Sequence, residues 1–185
     1  MNAPAIRILE TERLWLKPVT LTDAPSIQRR FARWEIVRMM GAAIPWPYPD
    51  DGAASFLENA VAQNAEGGVY HWGLWLKGGP DEVIGVITLR PDGGLNQRGF
   101  WLCEEFQGRG LMTEAADRVV DFAFDEVGLD HLILTNAIPN VRSGRVKERQ
   151  GAVPIAQDTI VTPSGEVPRQ IWRLDRDAWR ARRGR

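Results

Sequence analysis

The sequence predicts an α+β or mixed α/β fold, and three observations support this. Alternating apolar and polar residues indicate β-strands, beginning with residues 13–19. A long amphipathic segment, residues 111–127, has the period of an α-helix. Further β-rich runs lie on both sides of this segment, so the long helix is predicted to cross between two strands.

The first third of the chain is predicted to form one strand and three helices. The Thr-Leu-Thr-Asp sequence after residues 13–19 can cap a helix that runs to about Arg33, and the short helical piece WEIVRMM follows. Three prolines in AAIPWPYPDDG remove backbone donors, so this segment is a predicted loop. Asp50 or Asp51 can cap the next helix, which runs to about Asn64.

The middle of the chain is predicted to form three strands and the long helix. The runs VYHWGLWLKGG and EVIGVITLRPDGG, separated by Gly78, Gly79 and Pro80, predict a hairpin, and RGFWLCEEF is the third strand. The long helix has one apolar stripe at spacings of three and four and an opposite face expected to meet water. The stripe consists of Met112, Ala115, Ala116, Val119, Ala123 and Val127, and the opposite face of Asp117, Arg118, Asp121 and Asp125.

The last part of the chain is predicted to add a buried strand, HLILT, a shorter helix, NVRSGRVKERQG, and two strands around residues 162–165. The final thirteen residues, RLDRDAWRARRGR, carry six arginines and two aspartates. This composition favours a solvated tail, with an anion-binding arm as the alternative.

Composition limits the class of protein. A chain of 185 residues with a formal net charge of -1 predicts a single domain, residues 1–185, without the global basic field of a nucleic-acid-binding protein. The single cysteine, Cys103, excludes an internal disulfide, and His71 and His131 lack metal-ligand spacing, so no metal is expected. The N-terminus lacks the pattern of a signal peptide, and no apolar run approaches about 18 residues, so we expect a cytoplasmic protein without membrane contact.

The turn at the start of the long helix is the strongest chemical signal. Gly108 and Gly110 flank Arg109, and small residues before a helix let an anionic group approach the N–H groups and positive dipole of its first turn. Thr113 adds a hydroxyl donor. A simple tight turn is the alternative. The P-loop pattern is absent, and the dinucleotide-binding pattern is only partly met, because Thr113 stands where the third glycine belongs.

At these residues the chain resembles the GNAT acetyltransferases, in particular the RimJ/RimL-like branch that modifies N-termini of ribosomal proteins. Gln107-Gly108-Arg109-Gly110-Leu111-Met112 fits the family's phosphate loop except at Met112, the final small position. The similarity extends over LETERLWLKPVTLTDA, VIGVITL, the segment from GFWLCEEF to GLDHL, Asn140-x-x-Ser143 and RLDRDAW, in the family's order. It therefore covers most of the chain.

The resemblance implies a mostly antiparallel, twisted sheet of six to seven strands, splayed in the middle and flanked by about four helices. Acetyl-CoA would be the cosubstrate, with its pantetheine arm between the strands RGFWLCE and HLILTNA and its pyrophosphate on residues 108–113. The implied cofactor-binding residues are Trp101, Leu102, Cys103, Gln107, Gly108, Arg109, Gly110, Leu111, Met112, Thr113, Asn140 and Ser143.

The same resemblance implies direct attack of an amine on the acetyl group, so Cys103 is expected to be a small buried side chain and not a nucleophile. Ser143 is the implied donor to the leaving thiolate, although Asn140 and Ser143 can also be read as an ordinary helix cap. Lys147 stands where many relatives carry a tyrosine, which leaves open whether Ser143 alone acts as the donor or turnover is poor.

The general base and the acceptor site are less defined. Glu104 and Glu105, at the end of the central strand, are the candidate bases, and Glu114 is expected only to complement the helix dipole. Trp46, Tyr48 and His71 are the candidate substrate-binding residues, with anchoring of the loop as the alternative role of the first two and a packed or solvated histidine as that of the third.

The predicted function is therefore an N-acetyltransferase that moves acetyl from acetyl-CoA to a primary amine, either a protein N-terminus or a small molecule. A non-catalytic CoA-binding or interaction protein is the alternative, and a dinucleotide oxidoreductase is a more distant one. The oligomeric state is left open between monomer and homodimer, and no nucleic-acid partner is expected.

Overall fold

The structure, a computed structural model, describes residues 4–41 and 43–184. Its β-strands are β1 (Leu9–Glu10), β2 (Leu14–Pro18), β3 (Tyr70–Leu76), β4 (Gly85–Leu89), β5 (Arg98–Leu102), β6 (His131–Ala137), β7 (Val153–Thr162) and β8 (Gly165–Asp175). Its α-helices are α1 (Ala24–Phe31), α2 (Trp34–Val37), α3 (Gly52–Glu66), α4 (Leu111–Asp125), α5 (Val141–Gln150) and α6 (Arg176–Arg182). Short 3-10 helices span Leu21–Asp23 and Glu104–Phe106.

The strands form two antiparallel sheets. The first has the order β1-β2-β3-β4-β5, and the second has the order β6-β8-β7. Helix α4 connects the two sheets, because it lies between β5 and β6 in the chain. The predicted mixed α/β class is confirmed, with eight strands and six α-helices in the described residues where the resemblance implied six to seven and about four.

Two apolar clusters cover the opposite faces of the five-stranded sheet. One packs α4 against β1 to β5 and contains the aromatic group Tyr70, Trp72 and Phe122, whose ring centroids are 5.0–5.7 Å apart. Such aromatic pairs contribute about 1 kcal/mol each beyond their buried area. The other cluster packs α1, α2 and α3 against Val83 and Val86, and Trp101 of β5 contacts both clusters. Strand β5 is therefore held from both sides.

The end of the chain differs from the predicted solvated tail. Its residues complete β8 and then form α6, whose Trp179 is buried. The indole Nε1 of Trp179 donates to Oδ1 of Asp121 at 2.9 Å, and Arg183 also pairs with Asp121. Asp121, expected on the solvated face of α4, is therefore buried, because α6 covers that face. Arg185, in the same predicted tail, lies outside the described residues.

The N-terminus of α3 also differs from the predicted aspartate cap. Asp51 occupies the N-cap position but makes no capping hydrogen bond. Oε1 of Gln28, on α1, instead accepts from the backbone N–H of Ala53 at 2.9 Å, so a neighbouring helix satisfies this end. Ala42, in the predicted proline-rich loop, lies outside the described residues. No helix in the described part of the chain has the length and hydropathy needed to cross a membrane.

Candidate active site

The turn before α4 presents unpaired backbone donors. Gly108 and Gly110 have φ angles of 76° and 78°, a left-handed conformation that glycine adopts without steric cost. Within the described residues, the six N–H groups of residues 108–113 donate no hydrogen bond, and the first helical bond runs from Glu114 N–H to Gly110 O. These donors, at the positive end of a helix dipole, suit an anionic group.

The turn is held from behind by Arg13. Its Nη1 donates to the carbonyl oxygen of Arg109 at 2.9 Å, and its Nε forms an ion pair of 2.7 Å with Glu114. Glu114 also accepts from the backbone N–H of Arg13, so both of its carboxylate oxygens are bonded to Arg13. The residue therefore has a structural role, as the sequence predicts. The guanidinium of Arg109 lies 5.5 Å from the ring centroid of Phe106 at the exposed surface.

The remaining loop residues that the sequence predicts differ in depth. Leu111 and Met112 are buried under the turn and Thr113 is half-buried, so any contact of the first two with a ligand is through their backbone. Nε2 of Gln107 donates to the carbonyl oxygen of Leu102 at 2.7 Å, and Arg142 donates to Oε1 of the same side chain. Gln107 thus joins the turn to the end of β5.

A gap opens between β5 and β6. The strands are joined where Gln97 N–H donates to Ile133 O at 2.9 Å, and Oε1 of Gln97 accepts from Ile133 N–H at 2.6 Å. Beyond this point the strands belong to different sheets, and no further backbone bond joins them in the described structure. The sheet is therefore splayed where the resemblance implied.

Hydrogen-bond alternation identifies which backbone groups face this gap. Cys103 N–H donates to Ile84 O, and Arg90 N–H donates to Gln97 O, so odd-numbered residues of β5 bond to β4. The backbone of Phe100 and Leu102 consequently points to β6. Of the three residues implied as cofactor ligands, Leu102 faces the gap and Trp101 pairs with Val86 of β4. The N–H of Cys103 donates to Ile84 O, and its carbonyl oxygen accepts from Phe106 N–H. Phe100 was missed, although the alternation of a strand could have indicated it.

The N-terminus of α5 lies beside the gap. Oδ1 of Asn140 accepts from the backbone N–H of Ser143 at 3.2 Å, so Asn140 caps the N-terminus of α5. The Oγ of Ser143 is contacted by Nζ of Lys147 at 2.9 Å. Lys147 is 1% exposed, and its Nζ lies 5.4 Å from the ring centroid of Phe100. The structure therefore brings Ser143 and Lys147 to the wall of the gap.

A cleft of about 270 Å³ lies on the α1 side of β5. It is lined by Arg29, Arg30, Arg33, Cys103, Glu104 and Glu105. Nη1 of Arg30 pairs with Glu105 at 2.7 Å, and its Nη2 pairs with Glu82. Glu104 and Glu105 are exposed to solvent, and Glu105 is the one held by an arginine.

Cys103 lies at the bottom of this cleft and is 3% exposed. Burial raises the pKa of its thiol, and although Nη1 of Arg30, 3.4 Å from Sγ, lowers that pKa in part, the net shift is upward. A thiol that holds its proton is a poor nucleophile. The environment of Cys103 thus agrees with the expectation of a small buried side chain.

The three candidate substrate residues do not lie together. Trp46 is exposed and contacts Trp34, with ring centroids 5.3 Å apart. Tyr48 packs edge-on against Phe31, with centroids 5.0 Å apart, which supports its alternative role as a loop anchor. His71 is buried on β3, so its ring is not presented at the protein surface.

Both ring nitrogens of His71 are engaged. Nδ1 lies 2.9 Å from Oγ1 of Thr88, and Nε2 lies 2.7 Å from Oε1 of Gln63. Burial, helped by the charge of Arg90, lowers the pKa of His71 to about 4. These contacts favour the packed-histidine alternative over contact with substrate.

A larger cavity, about 580 Å³, lies on the outer face of α4. Seven of its ten lining residues are carboxylates, namely Glu10, Glu12, Glu114, Asp117, Asp121, Asp125 and Glu126. An acidic cavity repels phosphate groups. The residues around the glycine turn and the gap fit acetyl-CoA better, because they combine unpaired N–H donors with a slot between two strands.

Comparisons with known proteins agree with this geometry. The model of the acetyltransferase (GNAT) domain family matches residues 13–153. The chain is 33% identical over 72 residues to the putative ribosomal N-acetyltransferase YdaF of Bacillus subtilis, 37% of this chain and 39% of YdaF. It thus spans about two fifths of that relative's length. It is 26% identical over 147 residues to the uncharacterized N-acetyltransferase YoaA of Bacillus subtilis, 78% of this chain and 81% of YoaA.

Among solved structures, RimJ of Mycobacterium smegmatis in complex with CoA-disulfide has the same fold, with a TM-score of 0.82. The two sequences are 17% identical, and the match covers 100% of this chain and 98% of RimJ.

Proposed function

Because the chain belongs to the acetyltransferase (GNAT) domain family, we propose that it transfers the acetyl group of acetyl-CoA to a primary amine. The observation that carries this proposal is the set of six N–H groups of residues 108–113 without a partner in the described structure. Such a set at a helix N-terminus binds a phosphate group well. The pantetheine arm of CoA joins its pyrophosphate to its thiol, so one site can hold the phosphates while another positions the acetyl group.

The gap between β5 and β6 would hold the pantetheine arm. Its amide groups would bond to the backbone of Phe100 and Leu102, which faces the gap. This places the end of the arm near the Ser143–Lys147 pair, which lies beside Phe100. The fit to acetyl-CoA therefore rests on the turn, the gap and α5 together.

The reaction proposed is direct attack of a neutral amine on the acetyl carbon. Held close together, the two reactants avoid much of the entropy cost of a bimolecular step. Ser143 would give its hydroxyl proton to the leaving sulfur, and Glu104 or Glu105 would receive the amine proton through water. We assign the base to Glu104, because the carboxylate of Glu105 is already engaged in an ion pair with Arg30.

The acceptor would enter from the cleft on the α1 side. YdaF is named as a putative ribosomal N-acetyltransferase, which favours a protein N-terminus as the acceptor here, with a small amine as the alternative. We propose that residues 1–185 form one catalytic domain and that the protein acts in the cytoplasm.

Binding of the cosubstrate can be tested by calorimetric titration with acetyl-CoA. The Gly110→Glu variant places a carboxylate and a strained backbone at the turn, so we expect its affinity to fall at least tenfold. Gly78→Glu is the matched control, because Gly78 also has a positive φ, of 68°, and lies in the β3–β4 hairpin. Equal affinities in the two variants would contradict the pyrophosphate assignment.

Transfer can then be tested by release of CoA thiol against N-terminal peptides and small amines. Acceptor-dependent release would support the enzyme. Tight binding of acetyl-CoA without release on any amine would favour the alternative, a non-catalytic CoA-binding protein on the same fold.

A further inference from the structure

A line of polar side chains runs along the inner face of α5. Ser143, Lys147 and Gln150 are spaced by four and three residues, so they share one face of the helix. Lys147 and Gln150 are each 1% exposed. A buried lysine is costly unless a specific contact uses it.

The side-chain hydrogen bonds of Lys147 in the described structure are all made to one residue. Nζ donates to the Oγ of Ser143 at 2.9 Å and to the carbonyl oxygen of Ser143 at 3.2 Å. Both acceptors lie one helical turn before Lys147, so the two bonds fix the position of Nζ relative to the hydroxyl of Ser143. No ion pair of Lys147 with a carboxylate is found in the described residues, although such a pair is the usual way to bury an ammonium group.

A second buried basic side chain contacts the same aromatic ring. Arg98 of β5 is 2% exposed, and its guanidinium lies 5.8 Å from the same Phe100 ring that Lys147 contacts. Nη2 of Arg98 donates to Oε1 of Gln150 at 2.8 Å, and Nε2 of Gln150 donates to Asp117 at 2.8 Å. Burial and the charge of Arg98 both lower the pKa of Lys147. Two basic side chains therefore share a buried site, and Gln150 connects one of them, Arg98, to the carboxylate of Asp117.

This arrangement lowers stability and suggests a compensating role, since burial of a basic group without an ion pair is unfavourable. Resting on the proposed function, we propose that Lys147 is a positioning residue that orients the Ser143 hydroxyl toward the leaving sulfur. With Nζ bonded to one lone pair of Oγ, the hydroxyl proton of Ser143 points away from Lys147. The same N–H bond stabilises the negative charge that develops on Oγ as the proton leaves.

The proposed reaction forms one carbon–nitrogen bond and breaks one carbon–sulfur bond. The amine nitrogen forms a bond to the acetyl carbon, and the carbon–sulfur bond breaks with its electron pair on sulfur. The proton of Ser143 Oγ moves to sulfur, giving the CoA thiol. The amine nitrogen gives up one proton, through water, to Glu104 or Glu105, which passes it to solvent, and Ser143 recovers one proton from solvent. The sum is amine plus thioester giving amide plus thiol.

The test is a double-mutant cycle with Ser143→Ala, Lys147→Met and the combined variant, read as kcat and as KM for acetyl-CoA. We expect Ser143→Ala to lower kcat about a hundredfold. Lys147→Met should lower kcat at least tenfold and leave KM for acetyl-CoA within about twofold. The combined variant should match Ser143→Ala, because Lys147 acts through Ser143. Lys147→Gln, which keeps an N–H donor, should recover part of kcat.

Methionine replaces a buried cation by an apolar chain of similar size, so Lys147→Met should fold at least as stably as the wild type. A normal kcat in Lys147→Met, or losses that multiply in the combined variant, would overturn the role of Lys147 while transfer by the wild type still stands. Absence of acceptor-dependent thiol release by the wild type would overturn the proposed function itself.

Discussion

The single thiol of the chain illustrates how the surroundings of a residue decide its chemistry. Cys103 lies at the end of β5, next to the two candidate bases, where a nucleophile would be well placed. Burial nevertheless keeps its pKa above the ordinary value, in spite of Arg30 beside it. The thiolate needed for attack is therefore scarce at neutral pH.

We predict that Cys103→Ala retains kcat within about twofold, because direct transfer forms no acyl-enzyme. The measurement is the initial rate of acceptor-dependent thiol release at saturating acetyl-CoA. Ser143→Ala serves as the comparison, since it is expected to lose most of kcat in the same assay. A loss of more than tenfold in Cys103→Ala would indicate a covalent route and contradict direct attack.

Single residues were predictable where their role depends on neighbours in sequence. Gly108 and Gly110 were assigned correctly to a helix-start turn, since a left-handed glycine and a following amphipathic run are local features. The burial of Lys147 beside Arg98 was not predictable, because it depends on how α5 packs against β5. The pairing of Gln28 with the start of α3 was missed for the same reason.

At the scale of elements, one face of helix α4 was predicted correctly and the opposite face was not. Its apolar stripe was predicted correctly, because the period of three and four reflects burial of one face. Its acidic face was assigned to water, yet Asp117 accepts from Gln150 and Asp121 from Trp179. A charged helix face has the same sequence pattern whether it faces water or packs against another helix that carries arginines.

Helix α6 is the element whose docking can be tested directly. Trp179→Ala should lower the free energy of unfolding by about 3–5 kcal/mol, because it removes a buried indole and its bond to Asp121. Urea unfolding followed by circular dichroism measures this change. Arg182→Ala, at an exposed position of the same helix, should change it by less than about 0.5 kcal/mol. Equal stability of the two variants would show that α6 does not dock on α4.

At the scale of the whole molecule, the antiparallel hairpin and the order of elements followed from patterns in the sequence, whereas the division into two sheets did not. The strands β5 and β6 both read as ordinary strands, and only the resemblance implied that they separate. Their single backbone bond, between Gln97 and Ile133, lies at the base of the gap. Closure or opening of a sheet depends on twist and on neighbouring helices, which local patterns do not report.

His71 makes the stability of the folded protein depend on pH. It lies on β3, bonded to Thr88 of β4 and to Gln63 of α3, with 3% of its surface exposed. Burial, with a contribution from Arg90, lowers its pKa to about 4, whereas an unfolded chain has a histidine pKa of about 6.5. The unfolded state therefore binds more protons between these values. The neutral histidine contributes its full stability above about pH 6.5, and this contribution is lost as the pH falls toward about 4.

We predict that the free energy of unfolding of the wild type falls by up to about 1.5 kcal/mol from His71 alone between about pH 6.5 and about pH 5. Urea titrations at intervals through this range measure the slope. His71→Gln should remove most of the slope, while His131→Gln, which replaces the other histidine, should retain it. Glu82, whose pKa is lowered by hydrogen bonds from Arg30, loses its stabilising charge only at lower pH. An equal slope in His71→Gln and wild type would mean that His71 takes up its proton in the folded protein, and that its contacts with Thr88 and Gln63 do not exclude the charged form.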